Sequence, residues 1–374
     1  MLSDLFLNKK IILFGASKAG KNALGYLNLP IAYFVDNNPE LYDQRVFDIA
    51  ICKPEKLFSE DKDKIVILIT SMYYQEIAYQ LQNMGFGERK HFFDALDFKE
   101  NSDSPIDNIV LDYPIHPQAR YGYGKPPHGK IMEILEKNKI IYQKNLRSFI
   151  PYLQNLKNIP FYPADNHYSD PYWYNAWLSG MDAISIYSFL AVRKPQNYYE
   201  IGSGNSTKFA RKAIEDFKLA TRITSIDPQP RSEIDRICNR CIRERLEDTD
   251  LAIFDELESR DILFIDNSHQ VFMNSDVTAV FMDILPNLKP GVLVGFHDIF
   301  LPYDYPAVWT NRLYAEQYLL AAWLLAEGNK VRVEMPNCYI SGNAELVGIL
   351  DPFWNEIPMG KSLQGGVAFW IQTL

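Results

Sequence analysis

The feature that most constrains this chain is the stretch Tyr198-Tyr199-Glu200-Ile201-Gly202-Ser203-Gly204-Asn205-Ser206-Thr207. Its aromatic and apolar first half reads as a strand, its glycines as a tight turn, and the residues from Lys208 onward as a helix. Twenty-three residues beyond Gly204, a second short strand ends in Asp227. A glycine turn followed by a carboxylate at that interval suits a nucleoside. The glycines let the backbone approach the ligand, and the carboxylate accepts hydrogen bonds from ribose hydroxyls. Dinucleotide sites carry three glycines spaced for a pyrophosphate; here only Gly202 and Gly204 stand, behind Glu200.

At 374 residues the chain is long for one core, and two domains are expected. Residues 1–100 read as a small α/β unit. Strands at 10–14, 31–35 and 65–70 alternate with helices at 21–27 and 71–81, which implies a parallel sheet. The turn Gly15 to Gly20, followed by Asp36, repeats the nucleoside-site pattern in a weaker form. Residues 101–128 are rich in turn formers and read as a linker. Residues 129–195 read as a helical lead-in, with apolar residues at helical spacing from Ile131 to Leu156 and Pro160 as its stop. From 196 to 374 strands are expected at 197–201, 223–226, 241–244, 261–265, 291–296, 331–334 and 366–371.

Hydrophobic and charged contents of 47% and 23% exclude wholesale disorder. A net charge of −9 argues against a nucleic-acid partner, whose affinity comes from neutralising phosphates. The longest apolar run, Tyr318 to Ala326, follows Glu316 and Gln317 and is too short to span a membrane. Four cysteines are too few for a disulfide framework at this size, and no secretory leader is evident. A cytoplasmic protein with a small-molecule substrate is expected, and homo-oligomerisation is left open. Aromatic residues, at 14%, serve either a core or a surface that stacks on sugar rings.

Ligands on an open parallel sheet bind beyond the carboxyl ends of its strands. Those ends carry the glycine turn, Asp227, the run Asp266-Asn267-Ser268-His269 and the pair His297-Asp298. Convergence of Asp266, His269, His297 and Asp298 at one rim is a site pattern. Trp173, Trp177, Tyr172 and Tyr174 either lid that rim or pack an entry segment, with packing favoured. His167 and Arg231 read as loop residues. Cys238 and Cys241 have zinc-ligand spacing but lack a second pair.

The E-x-G-x-G form of the turn resembles the first motif of class I S-adenosylmethionine-dependent methyltransferases, which have no phosphate to cradle there. Four ordered runs extend the resemblance over roughly 160–374: P-x-W-x-N with S-G-x-D-A-I-S-I-Y (Pro171 to Tyr187), E-I-G-S-G-N-S-T, L-F-I-D-N-S-H, and H-D-I-F-L-P-Y-D-Y-P. Together they resemble a bacterial methyltransferase family from sugar and surface-polysaccharide gene neighbourhoods. A more distant similarity is to macrocin-type sugar O-methyltransferases. The amino-terminal unit resembles the small Rossmann-like domains that precede sugar-modifying transferases.

The resemblance implies an α/β fold with a seven-stranded class I sheet, its last strand reversed, beside a smaller Rossmann-like domain. It implies S-adenosylmethionine as cofactor, held by Glu200, Gly202, Ser203, Gly204, Asn205, Ser206 and Asp227. Glu247 and Asp248, expected to close the third strand, would put Asp248 near the adenine. A sugar or sugar nucleotide would be the acceptor, with Asp266, His269 and Asp298 catalytic and His269 the base. Asp266, His297 and Asp298 would hold a divalent metal. His297 departs from the acidic residue of the macrocin-type enzymes, which leaves magnesium open, since imidazole suits other metals better. Two rival readings remain: a nucleotide-sugar oxidoreductase or epimerase using Gly15, Gly20 and Asp36, and a binding protein that keeps the fold without turnover.

Overall fold

A computed structural model describes residues 9–27, 29–71, 73–98, 117–163, 170–175, 177–230, 234–326 and 331–374. The chain divides into two compact units, Met1–Pro114 and Ile115–Leu374.

The first unit contains β1 (Lys10–Phe14), β2 (Ile31–Val35), β3 (Arg45–Val46), β4 (Ile49–Cys52), β5 (Ile65–Ile69) and β6 (Phe92–Asp94). They form one sheet in the order β3-β4-β2-β1-β5-β6, parallel except for the β3/β4 pair. Alternate residues of β1 enter separate apolar clusters, Ile12 and Phe14 in one, Ile11 and Leu13 in the other. That is the period-two consequence of a sheet covered on each face, so the strand reads as a continuous apolar run. The first helix begins at Lys18 rather than Lys21. Gly20 permits this, because a Cβ there would lie 1.9 Å from the Gly15 carbonyl oxygen. The next helix runs Tyr74–Asn83, a shift from 71–81. Strands β3, β4 and β6 were not expected; two to four residues carry too little periodicity to be read.

The second unit opens with helical segments. Where one helical run was expected from Ile131 to Leu156, the chain forms helices Gly129–Lys137 and Lys139–Phe149, then a 3₁₀ segment, Ile150–Asn158. Asn138 makes the first break, and Pro151, lacking a backbone N–H, ends the α-helical hydrogen-bond pattern. Helix Gly180–Arg193 is buried along its whole length from Gly180 to Ala191, Asp182 included. It packs against helix Asn205–Asp216.

The sheet of this unit comprises β7 (Asn197–Ile201), β8 (Arg222–Ile226), β9 (Arg240–Ile242), β10 (Ile262–Ile265), β11 (Leu293–Phe296), β12 (Val331–Pro336) and β13 (Phe369–Thr373). Their order is β12-β13-β11-β10-β7-β8-β9. The five strands from β7 to β11 are mutually parallel, and β13 runs antiparallel to its neighbours β11 and β12. This is the expected seven-stranded arrangement with a reversed last strand. The third strand stops at Ile242, so Glu247 and Asp248 do not close it; they sit beyond it in the 3₁₀ turn Leu246–Asp248. The order places β10 between β7 and β11, which brings three chemically loaded strand ends side by side. Among the described residues, no helix is long and apolar enough to cross a membrane.

Candidate active site

The edge begins at the glycine turn. Ile201 pairs with Ile265, and Asp266 N–H donates to the Ile201 carbonyl at 2.8 Å, so Gly202 and Asp266 leave their strands together. Gly202 has φ +76°, and a Cβ there would lie 1.8 Å from the Asp266 carbonyl oxygen. Glycine is therefore required twice over, for conformation and for space. Around Gly204 a Cβ would meet nothing within 4 Å. The Ser203 N–H donates to Asp227 Oδ2 at 2.8 Å, and the Gln229 N–H donates to Oδ1 at 2.8 Å. Asp227 thus fixes the turn while keeping lone pairs for a ligand.

Glu200 faces the interior. It is fully buried and accepts from the Thr207 hydroxyl, which in turn accepts the Gly204 N–H at 3.1 Å. Burial pushes its carboxyl up to about 8, against the hydrogen bonds from Ser206 and Thr207. Its role is to hold the turn to helix Asn205–Asp216 from beneath. Asn205 and Ser206 are buried at the start of that helix.

At the ends of β10 and β11 the ionisable groups converge. His269 Nε2 lies 3.3 Å from Asp266 Oδ1 and 3.5 Å from Asp298 Oδ2. Asp266, His269 and Asp298 each offer one atom within 4.8 Å of the others, the spacing of metal ligands. His269 and Asp298 have left-handed backbones, φ +57° and +54°, a conformation that costs a non-glycine residue energy and recurs at functional sites. Three contacts enforce it at His269. Its N–H donates to Asn267 Oδ1 at 3.0 Å, its carbonyl accepts from Ala315 N–H at 2.8 Å, and its Nδ1 meets Glu316 Oε2 at 2.8 Å.

His297 stands on the other side of Asp266. Its Nδ1 lies 3.2 Å from Asp266 Oδ1 and 3.5 Å from Asp298 Oδ1, and its Nε2 lies 3.4 Å from Asp182 Oδ2. The group brought to ligating distance therefore differs by one member from the set Asp266, His297, Asp298, with His269 in place of His297. Asp182 is held by the Val367 and Ala368 N–H groups and by Asn337 Nδ2. Burial opposes its ionisation, but His297 and the surrounding donors keep its carboxyl below the usual range.

Four carboxylates thus face two imidazoles. Burial alone would make His269 less basic, but hydrogen bonds to Asp266 and Glu316 and the charges of Glu316 and Asp298 override it and push it up to about 10. His297 is raised in the same sense, burial again being overcome by Asp266 and Asp298. Asp266 is driven well below the carboxylate range, since the two imidazoles outweigh its burial. Such an edge favours positive charge, as a proton or as a bound cation.

Glu316 and Asp182 were not read from the sequence as site residues. Glu316 was seen only as a flank of the apolar run after it, and Asp182 only as one letter of the S-G-x-D run. Neither is near its histidine in sequence, so no spacing signals the pairing.

The other residues singled out in the sequence differ in exposure and partners. Asp248 is exposed and forms two hydrogen bonds with Arg245, at 2.7 and 3.0 Å. Trp173 is core, its ring 5.6 Å from Phe209 and 6.0 Å from Trp354. Tyr172 is buried, Trp177 half-buried, and Tyr174 exposed and stacked on Phe161 at 5.5 Å. Cys238 is half-buried and Cys241 exposed, and all four cysteines are free thiols. His167 and Arg231 lie outside the described residues.

The first unit repeats the turn's skeleton. Gly15 has φ +117°, the Ala16 N–H donates to Asp36 Oδ2 at 2.7 Å, and the Asn38 N–H donates to Oδ1 at 2.8 Å. Asp36 thus fixes its glycine turn as Asp227 fixes the other.

Comparison with known proteins follows this division. Residues 199–299 match the family described as a methyltransferase domain, and residues 7–92 match the family described as C2185-like, N-terminal. No curated protein matches the chain. Among solved structures, the O-methyltransferase from Bacillus cereus in complex with SAH is 12% identical, covering 65% of this chain and 99% of that one, with a TM-score of 0.33. The SAH-bound Podospora anserina methyltransferase PaMTH1 is 14% identical, covering 54% and 89%, with a TM-score of 0.30. The plantazolicin methyltransferase BpumL in complex with SAH is 12% identical, covering 66% and 99%, with a TM-score of 0.33. The family match spans the glycine turn and the ends of β10 and β11, so the chain carries a methyltransferase domain.

Proposed function

We propose that the chain is an S-adenosylmethionine-dependent O-methyltransferase acting on a hydroxyl of a sugar or sugar nucleotide. The observation that carries this reading is the convergence of Asp266, His269 and Asp298 next to Gly202. A cofactor seated on the Gly202–Gly204 turn, with its ribose at Asp227, would present its reactive end to that group. The amino-terminal unit, with its own Gly15–Asp36 turn, would assist acceptor recognition.

When bound, S-adenosylmethionine supplies an electrophilic methyl group for in-line displacement, so positioning provides much of the acceleration. His269 would take the acceptor proton at Nε2, a contribution of about 10²–10⁴-fold for a placed base. Asp266 and Asp298 favour the imidazolium in the free site, and any cation they accept competes with that proton. Asp266 and Asp298 would supply two carboxylates to a divalent cation, leaving His269 Nε2 for the proton with its Nδ1 backed by Glu316. Such an ion would lower the pKa of the acceptor hydroxyl.

Incubating the full chain with methyl-labelled S-adenosylmethionine and a panel of sugars and nucleotide sugars, then reading product masses, tests the reading. A gain of one labelled methyl on a saccharide is expected. Label transfer only to non-saccharide acceptors would overturn the substrate class.

A further inference from the structure

The segment between β11 and helix Glu316–Leu325 carries an aromatic group that the chemistry above leaves unused. Tyr314 packs its ring 4.7 Å from the ring of His269. Trp309 meets Tyr314 edge-on at 5.6 Å, and Tyr305 meets each of them at 6.3 and 5.9 Å. The segment is pinned to the helix start, since Phe300 N–H donates to Gln317 Oε1 at 2.9 Å and Gln317 N–H donates to the Tyr305 hydroxyl at 3.2 Å. It is a fixed wall running from the buried imidazole out to solvent.

At the outer end stands Arg312. Its guanidinium carbon lies 4.1 Å from the centre of the Trp309 ring and 5.4 Å from that of Tyr314, and the residue is exposed. A second exposed guanidinium, Arg120, sits 6.0 Å from the ring of Tyr318, which itself meets Tyr305 at 5.8 Å. Arg240, Arg243, Arg245 and Arg332 all pair with carboxylates. Neither Arg312 nor Arg120 forms an ion pair among the described residues. Arg312 thus offers an exposed guanidinium to an anion in a chain of net charge −9. Stacking holds its fork of donors in place, so little freedom is lost when an anion docks.

We propose that Arg312, stacked on Trp309 and Tyr314, binds an anionic group of the acceptor, a phosphate or a carboxylate, so that the acceptor is an acidic saccharide. The inference rests on the reading that Asp266, His269 and Asp298 form the acceptor side. A hydroxyl at that centre places the rest of the acceptor along Tyr314, with its anionic group at the guanidinium. Arg120 adds positive charge to the same aromatic group.

Isothermal titration of the full chain with inorganic pyrophosphate, methyl β-glucuronide and the neutral methyl β-glucoside tests this. At least one anionic probe is expected to bind more tightly than the glucoside, and more weakly as salt rises. Arg312→Gln should weaken that probe about tenfold or more, and Arg312→Lys less, because lysine keeps the charge without the planar fork. Loss of pyrophosphate binding identifies a phosphate, loss of glucuronide binding a carboxylate. The proposal is overturned if neither anion outbinds the glucoside, or if Arg312→Gln changes no anion affinity. Titration of the same samples with S-adenosylmethionine is a separate readout. Its failure in the wild-type chain would count against the proposed function, whereas failure of the anions alone would count only against Arg312.

Discussion

His269 Nδ1 and Glu316 Oε2 lie 2.8 Å apart, with both side chains buried and the second carboxylate oxygen of Glu316 unpartnered. Such an arrangement is costly to bury, and removing one partner leaves the other uncompensated. Glu316→Ala should destabilise the unit by about 3 kcal/mol or more. Its turnover should fall about 10–100-fold, as when the carboxylate behind a functional histidine is lost. Glu316→Gln, which keeps an acceptor for Nδ1, should recover most of the stability and part of the rate. Thermal unfolding and initial rates read the two effects; equal rates in all three proteins would remove Glu316 from the mechanism.

Gly202 and Gly204 should respond differently to a methyl group. Gly202→Ala forces a Cβ against the Asp266 carbonyl and a strained backbone, so loss of cofactor binding and about 2 kcal/mol or more of stability are expected. Gly204→Ala has room for its Cβ in the ligand-free fold. Its unfolding midpoint should stay near wild type while affinity for S-adenosylmethionine drops, because the new methyl occupies the approach to the turn. Unfolding curves and calorimetry on the two variants make the comparison.

Glu200 gives a pH signature. Its carboxyl rises from 4.5 to about 8 on folding. Between those values the folded chain holds a proton that the unfolded chain has released. Its contribution to stability therefore falls as pH rises from about 4.5 to 8 and levels off above, with a slope of at most about 1.4 kcal/mol per pH unit. Glu200→Gln should flatten that part of the curve. Denaturant titrations from pH 5 to 9 measure the difference, and parallel curves for the two proteins would contradict the buried, protonated carboxyl.

Asp248 provides a negative control. It is exposed and engaged with Arg245 beyond the end of β9. Asp248→Ala should therefore leave affinity for S-adenosylmethionine within about twofold, the scale of a lost surface pair. A tenfold loss by calorimetry would restore the adenine contact expected from the sequence.

The fold of the second unit was legible because most of its strands are apolar runs that stop at a glycine or charged residue, Gly202, Asp227, Asp266 and His297 among them. Gly202, Asp227 and Asp266 follow directly on strand ends, Asp298 and His269 stand two and four residues past theirs, and a parallel sheet gathers strand ends at one edge. What was hidden depends on long-range closure. Glu316 reaches His269 from 47 residues away, and Asp182 reaches His297 from a helix that precedes the sheet. Their partners could not be read from local spacing. The third strand was drawn too long for the opposite reason: it is three residues long, and Glu247 and Asp248 lie past its end. Glu200 was legible as a motif position but not as a buried one, because its orientation is set by Thr207 and the helix after it.

The most direct test is calorimetric titration of the full chain and of His269→Ala with S-adenosylmethionine and its demethylated product, alongside turnover. The wild-type chain should bind both ligands. His269→Ala should bind them with affinity changed by less than about threefold while turnover falls by about 100-fold or more, the scale of a lost general base. Binding of neither ligand to the wild-type chain would contradict the account at its centre.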